Sequence, residues 1–275
     1  MSRVWDHKLL VMTDIHLTAG GQKIIGLDPL ARAKAVLDHA LARHGDAEAL
    51  ILMGDLAHHG HPEAYAALRD MLRATPMPVI PMLGNHDRRD AFRGVFTDAP
   101  ESPGEFVQNA FDLDGWRVLT LDTLDGPPYP AGHHAGRLCD QRLAWLDRQI
   151  ETAGAARLLV CAHHPPFAVG LPGMDAIPLA DGAVLLDRLR ATGRAHLLCG
   201  HVHRTISGSS GGVPWSMLKS PCHQAPLDLE DRDSSLSIDE VGAYGVVLLG
   251  RGGVIVHSED VTDRDTPVVR DPASG

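Results

Sequence analysis

The chain has 275 residues, 44% of them hydrophobic and 22% charged, a globular composition that excludes wholesale disorder and supports a sizeable core. With 35 acidic against 25 basic residues the formal net charge is −10, so the chain lacks the basic footprint that displaces counterions from nucleic acid, and a nucleic-acid polymer is excluded as a partner. An acidic protein that handles an anion must neutralise it locally, and bound divalent cations do so by inverting the local charge.

The first apolar run, Leu9 to Met12, is too short for a signal-peptide core, and no later segment approaches 18 apolar residues. A cytoplasmic protein without a membrane span is expected. Strands are predicted at Lys8–Thr13, Ala49–Met53, Val79–Leu83, Arg117–Leu121, Arg157–Ala162, Ala195–Cys199, Pro214–Leu218, Tyr244–Leu249 and Val254–His257. Between them lie helix signals. Asp28-Pro29 supplies a cap and a first-turn proline ahead of Leu30, Ala33, Val36, Leu37 and Leu41. His61-Pro62-Glu63 opens a second helix through Met71, Asp140 is expected to cap a third, and Asp181 a fourth. This alternation predicts α/β layering. The strands after residue 210 have no helices between them and predict a local antiparallel meander. Pro226 to Glu240 carries six acidic residues and reads as a solvated loop, and the tail after Ser258 as a polar surface segment. The four cysteines have no CxxC spacing, and Cys161 and Cys199, inside apolar runs, read as buried small hydrophobes.

Chemistry concentrates at the carboxyl ends of five apolar runs, where open α/β sheets form crevices. Asp14-Ile15-His16 follows the first, Gly54-Asp55 the second, and Gly84-Asn85-His86-Asp87 the third. His163-His164-Pro165 follows Arg157–Ala162, and Gly200-His201-Val202-His203 follows Ala195–Cys199. Asp14, Asp55, Asn85, His16, His163, His201 and His203 form a mixed oxygen and nitrogen donor set suited to Mn²⁺, Fe²⁺ or Zn²⁺. That is too many donors for one catalytic ion, and two ions about 3.5–4 Å apart, bridged by one carboxylate, would use them all. Asp-x-His and His-x-His are expected to present both ligands on one side of an extended segment. The glycines before Asp55, Asn85 and His201 would allow sharp turns close to the ions. His7, His39, His44, His133, His134, His196 and His257 read as surface or core histidines. Gly208 to Gly212 lacks the Lys-Ser/Thr ending of a phosphate loop and reads as a turn.

DxH, GD, GNHD, HHPP and GHVH in this order resemble the calcineurin-like metallophosphoesterases. The likeness is closer to the class III cyclic-nucleotide phosphodiesterases and bacterial glycerophosphodiesterases, through Gly60-His61-Pro62-Glu63-Ala64-Tyr65 and Ser220-Pro221-Cys222-His223-Gln224. The resemblance implies a four-layer αββα sandwich of two mixed sheets flanked by helices. It implies a catalytic domain over residues 1–225, completed by an acidic loop, C-terminal strands and tail over 226–275, with a lid or dimerisation element as the alternative reading of the loop. It further implies that Asp14, His16 and His203 bind one metal and Asn85, His163 and His201 the other, with Asp55 bridging. His86 would lie beside the phosphate and assist the leaving oxygen, and His223 would be a second substrate-side histidine. Purple acid phosphatases carry a tyrosine three residues after the bridging aspartate. This chain has His58 there, so a tyrosinate-bound ferric site is not expected.

The activity so implied is hydrolysis of a small phosphodiester, most directly a cyclic nucleotide, by in-line attack of a hydroxide shared between the metals. A glycerophosphodiester is the alternative substrate, and a phosphomonoester or nucleotide diphosphate a third. The alternative of another class is a non-catalytic metal-binding scaffold, and a homo-oligomer is compatible with any of these. Loops 124–137 and 169–178 are expected to shape the leaving-group pocket. His164 reads as orienting a neighbour.

Overall fold

The computed structural model describes residues 4–99, 102, 104–129 and 131–262. Two sheets form. In the first, β1 (His7–Met12) lies between β10 (Ala243–Gly250) and β2 (Ala49–Met53), with β11 (Gly253–Asp260) and β3 (Val79–Met82) at the edges. The second runs β4 (Asn109–Leu113), β5 (Trp116–Leu121), β6 (Arg157–Ala162), β7 (Ala195–Cys199), β9 (Val213–Met217) and β8 (Ile206–Ser210). Both are mixed: β1, β2 and β3 pair in parallel, as do β5, β6, β7 and β9, while β10, β11, β4 and β8 add antiparallel partners.

Side-chain alternation along the central strands accounts for the layers. Leu10, Met12, Leu50 and Leu52 face the helix α1 (Pro29–His44) and the helix α2 (Pro62–Leu72), packing with Ala33, Val36, Leu37, Tyr65 and Leu68. Their neighbours Leu9, Val11, Ile51 and Met53 point the other way and meet Val118, Leu159, Cys161 and Leu198 of the second sheet. On that sheet's outer face Leu158, Val160 and Leu197 pack against α4 (Asp140–Thr152) and α6 (Gly182–Thr192) through Leu143, Leu146, Leu185 and Leu189. The result is the expected four-layer αββα sandwich. Strands covered on both faces explain why Ala49–Met53 is an unbroken apolar run.

Several expectations need correcting. The late strands do not form one meander: β9 joins the second sheet beside β7, and β10 crosses to the first, where it pairs with β1 and β11. Gly208 lies in β8, an edge strand of Gly and Ser, and only Gly211 and Gly212 form the turn. The strand β4, the helix α3 (Arg89–Val95) and the short helix α5 (Pro172–Asp175) add to the predicted elements. Asp28 does cap α1, accepting from Ala31 N at 3.1 Å. Asp140 is instead the first residue of α4, behind Cys139. Asp181 sits at the cap position of α6, but its carboxylate accepts from Leu138 N at 3.0 Å. The tail expected to cross the surface lies outside the described residues from 263 onward, and Ser258 to Asp260 still belong to β11.

One buried ion pair ties the ends of the two sheets together. Arg89, just after the β3 loop, donates to both oxygens of Asp122 after β5 at 2.7 and 2.8 Å. Arg142 from α4 donates at 2.8 Å to the Asp122 and Leu124 carbonyls. Replacing Asp122 strands two guanidinium groups without their counter-charge. Asp122→Ala should cost about 3–5 kcal/mol in urea unfolding, whereas Asp112→Ala, which breaks an exposed pair with Arg117, should stay within about 1 kcal/mol.

Candidate metal centre

All five polar clusters emerge from the carboxyl ends of β1, β2, β3, β6 and β7; four of them line one cavity of about 340 Å³, and the fifth places His163 behind it, against Asp55 and Asn85. Asp14, His16, Asp55 and His203 place ligand atoms within 4.8 Å of one another, and all are buried. His163 Nε2 lies 3.3 Å from Asp55 Oδ2 and 3.2 Å from Asn85 Oδ1, so Asp55 stands between the His16–His203 group and the His163–Asn85 group. The ring of His201 packs against His163, with centroids 5.3 Å apart. The structure therefore gathers the donors named from the sequence, and places His86 and His223 along the same cavity.

The backbone achieves this differently from expectation. Asp-x-His and His-x-His are not extended: Asp14, His16, Asp55, His201 and His203 all have left-handed φ, between 51° and 69°. Each non-glycine residue held there costs on the order of 1–3 kcal/mol, a cost tolerated where surrounding structure over-determines the conformation. Of the preceding glycines, Gly54 makes the expected sharp turn at φ 88°, while Gly84 and Gly200 serve as space. A Cβ on Gly84 would lie 2.3 Å from Asp55 Oδ1, and one on Gly200 would lie 2.1 Å from Thr13 Oγ1.

Each imidazole is aimed by its second nitrogen. His163 Nδ1 donates to Met53 O at 3.0 Å and His203 Nδ1 to His223 O at 2.8 Å, which turns each Nε2 inward. His16 Nδ1 lies 3.1 Å from His58 Nδ1, giving His58 an orienting role, and His16 Nε2 is 3.0 Å from His203 Nε2. His164 orients rather than reacts: Nδ1 meets Thr123 Oγ1 at 2.7 Å, Nε2 donates to His134 O at 3.1 Å, and its ring packs on His201. His86 Nδ1 donates to His58 O at 2.8 Å, leaving Nε2 for the cavity.

Two residues that sequence reasoning passed over complete the arrangement. His134, read as a surface or core histidine, lines the cavity, stacks on His86 and accepts from Asn85 Nδ2 at 2.9 Å, which turns Asn85 Oδ1 toward His163. Its one signal was membership of a chain with 17 histidines. Asp87, noted only as the end of GNHD, accepts from Leu56 N, Ala57 N, Gly84 N and the Tyr65 hydroxyl at 2.9–3.1 Å. It clamps the loop after β2 to the loop after β3. The loop 226–240 is more than solvated, since Ser234 to Ser237 form one wall of the cavity while its acidic residues stay at the surface.

The electrostatics suit a multivalent cation. Asp14 and Asp55 are only 0% and 2% exposed. Burial pushes both carboxyls up, yet neighbouring imidazoles outweigh it: His203 brings Asp14 below its ordinary value, and His163 and His86 hold Asp55 well below it. Burial disfavours charge on His163, but Asp55 and Asp14 push it up to about 9. Burial keeps His16 well below the usual range and brings His201 to about 3, so their nitrogen lone pairs are available. Hard carboxylate and amide oxygens with imidazole nitrogens, in a buried pocket around two carboxylates, fit divalent cations, which would displace the protons that the carboxylates draw onto His163 and His203.

The calcineurin-like phosphoesterase family profile matches residues 7–205, and the chain belongs to that family. It is 36% identical to the probable cyclic nucleotide phosphodiesterase of Rhodopseudomonas palustris over 91% of each chain. It is 29% identical to the glycerophosphodiester phosphodiesterase GpdQ of Enterobacter lignolyticus, over 80% of this chain and 79% of that one. Among solved structures, a purple acid phosphatase from yellow lupin superposes with a TM-score of 0.64 at 12% identity, covering 94% of this chain and 52% of that one, a likeness of fold.

Asp87→Ala should loosen both loops at once. We expect a fall in melting temperature and a 10–100-fold loss of Mn²⁺ affinity by calorimetric titration, with Tyr65→Phe costing about 1 kcal/mol.

Proposed function

We propose that the chain is a metal-dependent phosphodiesterase acting on small phosphodiesters, most directly 3′,5′- or 2′,3′-cyclic nucleotides. In this reading Asp14, His16 and His203 hold one divalent cation, Asn85, His163 and His201 hold a second, and Asp55 is shared. Mn²⁺, Fe²⁺ and Zn²⁺ all suit the donors. Two such ions would neutralise the phosphodiester and lower the pKa of water within the site. The observation that carries the reading is Asp55 standing between two donor groups beside a cavity whose lining, among the described residues, holds no Lys or Arg. With no fixed cation, the cavity suits the single charge of a diester better than the double charge of a monoester. The 36% identity to a probable cyclic nucleotide phosphodiesterase supports the same substrate class. The likeness to GpdQ favours a glycerophosphodiester as the second reading.

The chain's own groups then have distinct tasks. His86, its Nδ1 anchored on the His58 carbonyl, presents Nε2 to the leaving oxygen and delivers a proton there. His223 lines the cavity with a buried Nδ1 that has no hydrogen-bond partner among the described residues, a polar atom suited to a substrate oxygen. Residues 226–262 complete the catalytic domain rather than forming a separate one, since β10 pairs directly with β1. The working compartment is the cytoplasm, consistent with the described helices, none of which is long and apolar enough to cross a membrane.

Side-by-side turnover of 3′,5′-cyclic AMP, 2′,3′-cyclic AMP, glycerophosphocholine and a phosphomonoester in added Mn²⁺ tests this. One diester should dominate, and a chelator should abolish turnover and lower the melting temperature. No diester turnover under any metal would leave the scaffold reading. His86→Ala should spare metal binding yet lower kcat about 10²–10⁴-fold on alkoxide-leaving diesters and far less on bis(p-nitrophenyl) phosphate. Equal losses on both would remove the proton-delivery role.

A further inference from the structure

The mouth of the cavity carries a residue that local backbone chemistry disfavours. Ile24 and Leu27 exchange two backbone hydrogen bonds, Ile24 N to Leu27 O at 3.0 Å and Leu27 N to Ile24 O at 2.8 Å, enclosing Ile25 and Gly26 in a two-residue turn. Both central residues have positive φ, 44° and 86°, which makes the turn type I′. Gly26 suits its place. The first central position favours Asn, Asp or Gly, and a β-branched side chain at positive φ is an outlier that persists against strain. Ile25 is also 51% exposed, so its own burial does not repay that strain.

What Ile25 does face is the cavity. It lines it together with Ile24, Met174, Ile177 and Leu236, an apolar part of the wall that reaches the histidines where the Ile177 carbonyl accepts from His201 Nε2 at 3.0 Å, and the hydroxyl-bearing Ser234, Ser235 and Ser237 line the same cavity. A flat group with apolar faces and polar edges matches such a wall, and a nucleobase is one. Among the described residues a cationic head group such as choline finds no carboxylate in the lining except Asp55, which stands among the candidate metal donors. We propose that the strained turn at Ile25 is the apolar seat for the base of a nucleotide substrate, and that it selects nucleobase-bearing diesters over those with small polar head groups. The proposal rests on the phosphodiesterase reading above.

Its test uses binding, which does not need turnover. The manganese-loaded protein is titrated calorimetrically with adenosine 5′-monophosphate and with ribose 5-phosphate, which share the phosphate and sugar and differ in the base. The native protein should bind the nucleotide more tightly. Ile25→Asn places a preferred residue in the turn, so the melting temperature should hold or rise while the gap between the two ligands narrows about tenfold, the scale expected for losing contact with half an isoleucine side chain. Ribose 5-phosphate affinity should stay unchanged, and Ile25→Leu, still apolar, should keep the gap. Equal affinities in the native protein, a gap that survives Ile25→Asn, or a lowered melting temperature in that variant would overturn the proposal. Absence of diester turnover in the native protein would instead overturn the activity on which it rests.

Discussion

Two carboxylates buried away from water, Asp14 and Asp55, set the terms for everything around them. An uncompensated buried carboxylate costs several kcal/mol at least, so the fold must surround each with positive charge or directed dipoles. It does so with imidazoles and backbone N–H groups. His203 and His163 meet Asp14 and Asp55, while the His201 and His86 amides donate to Asp14 and Asp55 at 3.0 and 2.9 Å. Bringing those amides close enough requires left-handed turns at the strand ends, and the glycines at 84 and 200 leave room for the carboxylate and hydroxyl that pack there. Local strain, small residues and clustered histidines are three answers to one electrostatic demand.

The segment 84–89 shows how densely the demand is met. Gly84 yields space to Asp55, Asn85 offers an amide oxygen, His86 faces the cavity, Asp87 clamps the neighbouring loop, and Arg89 reaches across to Asp122 at the end of β5. Successive residues thus work on different elements because the chain turns out of β3 and into α3 within a few positions. This strap fastens the first sheet's rim to the second.

The sequence made much of this legible for a physical reason. Strand cores buried on both faces are conspicuous apolar runs, and the polar clusters that end them mark the crevice directly. Which residues form β8 was hidden because Ile206–Ser210 is a Gly- and Ser-rich edge with little apolar pattern to read. The assignment of β9 and β10 to different sheets was hidden as well, since an apolar strand records that it is buried and not against what. The left-handed backbone at Asp14 and His203 could not be read from an Asp-x-His or His-x-His spacing that an extended segment would satisfy equally. His134 was missed because its partner, Asn85, lies 49 residues away and the segment after β5 that carries it has no periodic signal.

The donors do not share a sheet. Asp14, His16, Asp55 and Asn85 hang from the first, His163, His201 and His203 from the second, and the apolar layer of Leu9, Ile51, Leu159 and Leu198 fills the distance between. The thickness of that greasy filling is therefore the gauge that spaces one half of the proposed coordination sphere from the other. Trimming a methylene deep in the interior, far from any polar atom, would register as a change in the spacing of the candidate donors, so the interior and the chemistry are bound to drift together or not at all.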